Sequence, residues 1–473
     1  MCVKNMKIPH IIGSEYTVNT IHNQTVRYLN LDNAATTPSF RPIMDRLSEF
    51  MEIYGSVHRG SGQKSQMSTA IYEGAISVIL GFLGVTQKEY ALTPTHNTTS
   101  AINKIARMLN ISADDTIFLS EFEHSANDLP WRKGAKIIRI PADESGQFCM
   151  NHFEEALKVK NRKGKKFVAV SGASNITGAL TPVHEIAMLA HSYGANVLVD
   201  AAQLVAHREI NLQGNRNRDD AIDFVCFSGH KMYAPFGGGV LVGKRELMEQ
   251  LTPDDTGGGS VDFVMNDSYD LAKNFSKRTT AGTPSVMGIV SMALSCNILR
   301  KEIGFKYILA HEQEILDRAK RKISVLHGIK IYCDLDYNAK KKCAIITFNV
   351  EGVHPNLIAA RLGHEFGIGV RQGAICQFSF VAKLLGLNAK AVQVARQEIL
   401  AGHTDRSFGI VRASFGLGNI PEDVDRFADA LIEIVKTPEK SKNYFFNTEG
   451  EFWPIGKPRL DVASFFNTQE GKK

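Results

Sequence analysis

The stretch "KFVAVSGASNITGALTPVHEIAMLAHSYGANVLVDAA", Lys166 to Ala202, reads as strand, helix and strand in succession. Its ends, "KFVAVSG" and "NVLVDAA", are short unbroken apolar runs, the pattern of strands buried on both faces. Between them "PVHEIAMLAHSYG" has helical spacing and stops at Gly194, in the manner of a glycine just past a helix C-terminus. A strand, a crossover helix and a second strand imply a parallel pair, so a mostly parallel α/β sheet is expected.

The same alternation extends outward from about residue 67 to residue 245. "DTIFLSE", "KIIRIPA", "DFVCFSG" and "GGVLVGK" supply further strands, and "STAIYEGAISVILGFLG" and "NTTSAINKIARMLN" supply helices. After "AGTPS" a long helical reading runs from about Met287 through Leu326 and links to a second unit. From about 327 to 436, strand patterns ("CAIITFNVEG", "IVRASFG") mix with helices ("NLIAARLGHEFG", "PEDVDRFADALIEIV"). The expected division is an N-terminal segment 1–44 packing with the small domain, a large α/β domain 45–300, a smaller α+β domain 301–437, and an unassigned tail 438–473.

Bulk properties narrow the function. With 473 residues and 44% hydrophobic content, the chain is long enough for two domains. The net charge of +6 is spread thinly, and its densest run, "KNRKGKK" (Lys160 to Lys166), reads as a solvated turn rather than a nucleic-acid site. The apolar run "AISVILGFLGV" falls short of the roughly 20 residues a membrane-spanning helix needs. The opening "MCVKNMKIPHIIG" lacks a secretory pattern, so a cytoplasmic location is the expectation. Seven scattered cysteines without a C-x-x-C pair suit neither a disulfide framework nor a metal site, and most should be reduced and buried.

Ligands of open parallel sheets bind beyond the carboxyl ends of the strands. That rule selects Asp200 and Gln203 after "NVLV", Ser228, His230 and Lys231 after "DFVCF", Asn175 after "VAVSGAS", and His124 after "TIFLSEFE". At the helix start "THNTTSAIN", free N–H groups with the hydroxyls of Thr98 and Thr99 make a seat for a phosphate. A phosphate seat, a lysine and a buried acid together suit pyridoxal 5'-phosphate, whose aldehyde forms a Schiff base with a lysine amine. Asp200 would keep the ring nitrogen protonated, His124 would stack on the ring, and Gln203 would bond its phenolic oxygen. Each residue alone has an ordinary use, as a turn acid, a helix cap or a surface lysine. Their joint placement at strand ends carries the reading.

"YLNLDNAATTP", "SVHRGSGQKSQ", "EHSANDLPW", "VLVDAAQLVAH", "DFVCFSGHKMYAP", "AGTPS" and "VRQGAIC" together resemble the class V pyridoxal-phosphate enzymes of fold type I, particularly their cysteine desulfurase and selenocysteine lyase branch. The resemblance runs from about residue 28 to residue 434. It implies that Lys231 holds the cofactor, with Ser228 and His230 near the phosphate and Asn175 beside the ring. It further implies a homodimer in which Thr283 reaches the neighbouring subunit's phosphate. Arg412 resembles the arginine that pairs with the substrate α-carboxylate, and His58 and Arg371 match residues close to the substrate. Cys376 falls where short-loop desulfurases carry the cysteine that accepts sulfur as a persulfide, to be passed to an acceptor protein. Asn97 stands where the family commonly has glycine, and "GAICQFS" lacks the residues that often flank the nucleophile.

Rival readings remain at this stage. A selenocysteine lyase, C–S lyase, amino-acid epimerase or aminotransferase of the same class would work without Cys376. "GGVLVGKR" nearly spells a phosphate-binding loop, but Arg245 replaces the hydroxyl residue that would hold magnesium, and "VLV" reads as strand. "HEIAMLAH" has its histidines too far apart for a zinc protease, which leaves them the role of a solvated helix face.

Overall fold

A computed structural model of the chain describes residues 8–58, 60–143, 146–158, 164–215, 219–332, 334–447, 450–458 and 462–466. Most of the basic run around Lys160 lies outside them. At the centre stand seven strands: β1 (Tyr90–Thr95), β2 (Thr116–Ser120), β3 (Lys136–Ile140), β4 (Lys166–Ser171), β5 (Ala195–Asp200), β6 (Phe224–Ser228) and β7 (Gly239–Lys244). They form one sheet in the order β1-β7-β6-β5-β4-β2-β3. Strands β2 to β6 pair in parallel, whereas β7 runs antiparallel to both β6 and β1. Consequently β1 through β6 all point one way, and their carboxyl ends share one edge.

Side chains alternate strictly across this sheet, as the pleat requires. Val168, Val170, Val197 and Val199 face one apolar cluster with Ile79 and Ile186, while Phe167, Ala169 and Leu198 face another with Ile102 and Ile105. Helices α1 (Arg41–Ile53), α2 (Gln63–Phe82), α3 (Thr98–Met108) and α4 (Val183–Ser192) supply these covering layers. Because both faces are buried, the inner strands read as unbroken apolar runs. β1 escaped that signal. Its sequence YALTPT carries Pro94, which cannot donate to a ladder and is tolerated here because β1 is an edge strand.

The helix expected from about 287 to 326 is instead broken in two. α5 (Val286–Asn297) passes into a wider π-helical stretch, Ile298–Ile303, that ends at Gly304 with φ +79°, and α6 (Phe305–Lys322) starts afresh. Only a glycine adopts that backbone without strain, so the break is local chemistry. The expectation for "HEIAMLAH" also needs correction. His184 and His191 are not left to solvent: their Nδ1 atoms bond to the Asp220 and Asp219 carbonyls, and His191 Nε2 lies 2.9 Å from Asp223 Oδ2. That helix face packs on the loop leading into β6.

Beyond α6, β8 (Ile329–Tyr332), β9 (Ile345–Val350), β10 (Arg371–Gly373) and β11 (Ile410–Ser414) form an antiparallel sheet ordered β8-β9-β11-β10. α7 (Pro355–Phe366) and α8 (Pro421–Lys436) cover it around Phe348, Leu362 and Phe427. The N-terminal segment reaches the same region, because Leu29 pairs with Ile368 and Asp32 bridges to Ser414. In the tail, a hairpin of Tyr444–Phe446 and Phe452–Pro454 lies on α7, where Trp453 meets His364 edge-on and the Tyr444 hydroxyl donates to Glu365.

Candidate active site

The shared carboxyl edge of β1 to β6 opens into a cleft of about 550 Å³. It is lined by Thr98, Thr99, His124, Asn175, Asp200 and Gln203, and by Ser228, His230, Lys231, Arg371, Cys376 and Arg412. His58 and Thr283 do not line it. His58 borders a separate hollow with Val261 and Gly282, and its ring meets Tyr72 edge-on at 5.4 Å.

Register builds the floor. Gly239, the first residue of β7, stands opposite both Thr95 at the end of β1 and Ser228 at the end of β6. A Cβ at Gly239 would sit 2.5 Å from the Asn97 carbonyl carbon and Cα, so only glycine lets the start of α3 approach this closely. Across that gap the Thr98 N–H donates to Ser228 Oγ at 2.7 Å, and the two hydroxyls lie 2.6 Å apart. Asn97 itself caps α3 by accepting from the Ser100 N–H at 2.9 Å. Its φ of −166° is ordinary extended backbone, so replacing the family's glycine here carries no strain.

Three titratable groups give the cleft its chemistry. Burial pushes the Lys231 amine below the usual lysine range, with Arg412 and Arg371 adding to the effect and Asp200 and Cys376 opposing it. Among the described residues its Nζ has no hydrogen bond or ion pair, which leaves the amine free to react. Burial raises the Asp200 carboxyl, which accepts from the Ala202 N–H at 3.0 Å. His124 is driven down to about 4, by burial first and then by the charges of Lys231 and Arg412. Its Nδ1 accepts from the Ala126 N–H at 3.0 Å, so the ring is neutral with its proton on Nε2.

At the cleft wall Arg412 is 1% exposed, donating from one terminal nitrogen to the Asn175 carbonyl and from the other to Asp32 Oδ1, both at 2.9 Å. Its Nε is buried with no partner among the described residues. Arg371 takes the second oxygen of Asp32, also at 2.9 Å. Cys376 is exposed, whereas Cys226, Cys296 and Cys343 are buried.

Several contributors went unnoticed in the sequence. Asp32, which pairs both arginines, lay inside the quoted "LDNAAT". Glu123, next to His124 in the chain and buried, accepts from Ser120 Oγ, Ser171 Oγ, the Ser171 N–H and Asn127 Nδ2 at 2.5–2.9 Å. Gln203 donates to the Ala34 carbonyl at 2.5 Å, a contact with the N-terminal segment that no local pattern announces. No cluster able to hold a metal occurs among the described residues.

Comparison with known proteins meets this geometry. The chain is 33% identical over 425 residues to a probable cysteine desulfurase of Halalkalibacterium halodurans, covering 88% of this chain and 93% of that one. Among solved structures it superimposes on the apo cysteine desulfurase of Thermococcus onnurineus NA1 with a TM-score of 0.75 and 31% identity, covering 86% of this chain and 95% of that one. The S-sulfonic acid form of the Escherichia coli cysteine desulfurase CsdA gives a TM-score of 0.72 at 26% identity, with the same coverage. The family model described as aminotransferase class-V matches residues 29–427, nearly the whole span that builds the two sheets and the cleft between them, and the chain belongs to that family.

Proposed function

We propose that the protein is a pyridoxal-phosphate-dependent cysteine desulfurase, converting L-cysteine to alanine and leaving the sulfur as a persulfide on Cys376. The observation that carries this reading is one cleft lined by a half-buried lysine and a buried arginine Nε, both without a hydrogen-bond partner among the described residues, together with a buried carboxyl and an exposed cysteine. The residues fit the cofactor: Lys231 for its aldehyde, Asp200 for its ring nitrogen, His124 for its ring face, and Thr98, Thr99, Ser228 and His230 for its phosphate. When bound, pyridoxal phosphate supplies the electron sink that makes the substrate α-proton removable.

The chain's own groups do the rest. Arg412 holds the substrate carboxylate, using donors whose geometry matches two oxygens. Lys231, whose amine burial shifts below the usual lysine range, takes the α-proton and returns it. The Cys376 thiolate forms an S–S bond to the substrate sulfur as the substrate Cβ–S bond breaks. The electron pair stays with the β-carbon, which is protonated to give alanine. A thiol reductant, or a protein acceptor taking the outer sulfur, then regenerates the thiol.

A homodimer belongs to this proposal. The hairpin Val261–Val264 and Tyr269–Leu271 presents Phe263, Val264, Met265 and Tyr269 at 55–62% exposure, an apolar patch suited to a second copy. His58 and Gly282, the neighbour of Thr283, border the same hollow as this hairpin, so they would serve a partner's site.

The test is alanine and sulfide release from L-cysteine in the presence of a reductant. Lys231→Ala is expected to abolish both products and the cofactor's Schiff-base absorption. Cys376→Ala is expected to abolish both products with that absorption intact. Unchanged alanine release by Cys376→Ala would mean that sulfur leaves without Cys376, as in a selenocysteine-lyase type of reaction, and absence of both products from the parent would move the activity to a C–S lyase, epimerase or aminotransferase of the same family.

A further inference from the structure

Cys376 and the residue before it have an unusual backbone. Ile375 has φ +44° and Cys376 φ +60°, two successive non-glycine residues in the left-handed region, the first of them β-branched. Such a conformation persists only where the surroundings over-determine it. Two anchors do so here. The Cys376 carbonyl accepts from the Ser125 N–H at 3.1 Å and from Ser125 Oγ at 2.6 Å. The Ile375 carbonyl accepts from Asn175 Nδ2 at 3.3 Å, and Gln377, almost fully buried, donates back to Asn175 Oδ1.

The two anchors differ in kind. Asn175 also takes Arg412 through its carbonyl, so it already belongs to the substrate wall. Ser125 follows His124 in the turn after β2, and among the described residues its hydroxyl bonds only to the Cys376 carbonyl. Sulfur transfer demands that one sulfur approach another along a defined line, and small displacements of a reacting group are expensive.

We propose that Ser125 is a positioning residue for Cys376, its hydroxyl fixing the strained Ile375–Cys376 pair so that the thiol faces the cleft over Lys231. This assignment rests on Cys376 being the sulfur acceptor. Removing the hydroxyl leaves the cofactor and Arg412 untouched and lets the pair relax toward an ordinary backbone.

The experiment uses the pyridoxal-phosphate-loaded enzyme and its Ser125→Ala, Ser125→Thr and Cys376→Ala variants. Two readouts are taken: steady-state alanine formation from L-cysteine, and the rate at which iodoacetamide alkylates Cys376, followed by mass spectrometry of its peptide. Ser125→Ala is expected to lower kcat roughly tenfold, the equivalent of about 1.4 kcal/mol, with KM and the cofactor absorption unchanged and alkylation of Cys376 faster. Ser125→Thr keeps the hydroxyl and should restore both values; Ser125→Gly is a second hydroxyl-free variant should alanine impair cofactor loading. If Cys376→Ala is inactive while Ser125→Ala matches the parent in kcat and alkylation rate, the positioning role is overturned and the role of Cys376 stands. If Cys376→Ala keeps full activity, the underlying assignment fails instead, and with it any catalytic role for Ser125.

Discussion

Burial and hydrogen bonding pull Glu123 in opposite directions, and burial wins: its carboxyl is pushed up to about 7 despite four donors aimed at it. A carboxyl raised in the folded state contributes stability that is fully present below its ordinary value of 4.5 and is lost as pH climbs through 7. That loss is on the order of 3 kcal/mol. The adjacent His124, held down at about 4, has the opposite slope, favouring the fold increasingly as pH rises from 4 to 6.5. Glu123→Gln should therefore show a smaller loss of stability between pH 5.5 and 8 than the parent, measured by urea unfolding at both values. Equal losses would mean that the carboxyl is not raised. Lys231, Asp200 and His124 were readable because each lies at or just past a strand end in the sequence. Asp32 was not, since its role rests on Arg412, 380 residues away, and nothing near either residue records their pairing.

Elements bring such distant residues together through register. β7 matters most, because its antiparallel course places Gly239 against both Thr95 and Ser228 and draws the start of α3 over the floor of the cleft. Gly239→Ala would set a methyl 2.5 Å from backbone atoms of Asn97, which cannot swing aside as a side chain could. Overpacking of this kind costs about 1–3 kcal/mol. The expected outcome is a lower thermal midpoint and faster loss of pyridoxal phosphate on dialysis; parent-like values in both would contradict this account of the floor. Strands β2 and β4 to β7 were legible because burial on both faces writes a largely apolar run into the sequence, whereas β3, an edge strand, is mostly part-exposed. β1 with its proline, and the break at Gly304, were not: one is an edge strand with weak patterning, the other a single glycine inside an otherwise helical run.

At the scale of the whole molecule, the N-terminal segment, the large sheet and the small sheet each deliver part of one cleft: Ala34 and Ala35 from the first, with Asp32 behind them on Arg412, Lys231 and Asp200 from the second, Arg412 from the third. The apolar hairpin around Phe263 is left uncovered by this arrangement. Light scattering after gel filtration should give twice the 52.2 kDa chain mass, and a Phe263→Asp, Val264→Asp double variant should shift it to the single mass with weaker cofactor retention. A monomeric parent would remove the dimer from the proposal. The central claim is that Cys376 takes the sulfur, and its most direct test is a single turnover with L-cysteine without reductant, followed by mass spectrometry of the Cys376 peptide. The account predicts that this peptide gains one sulfur atom, that alanine forms in equal amount, and that a reductant removes the added mass. Alanine formation with the Cys376 peptide unmodified would contradict it.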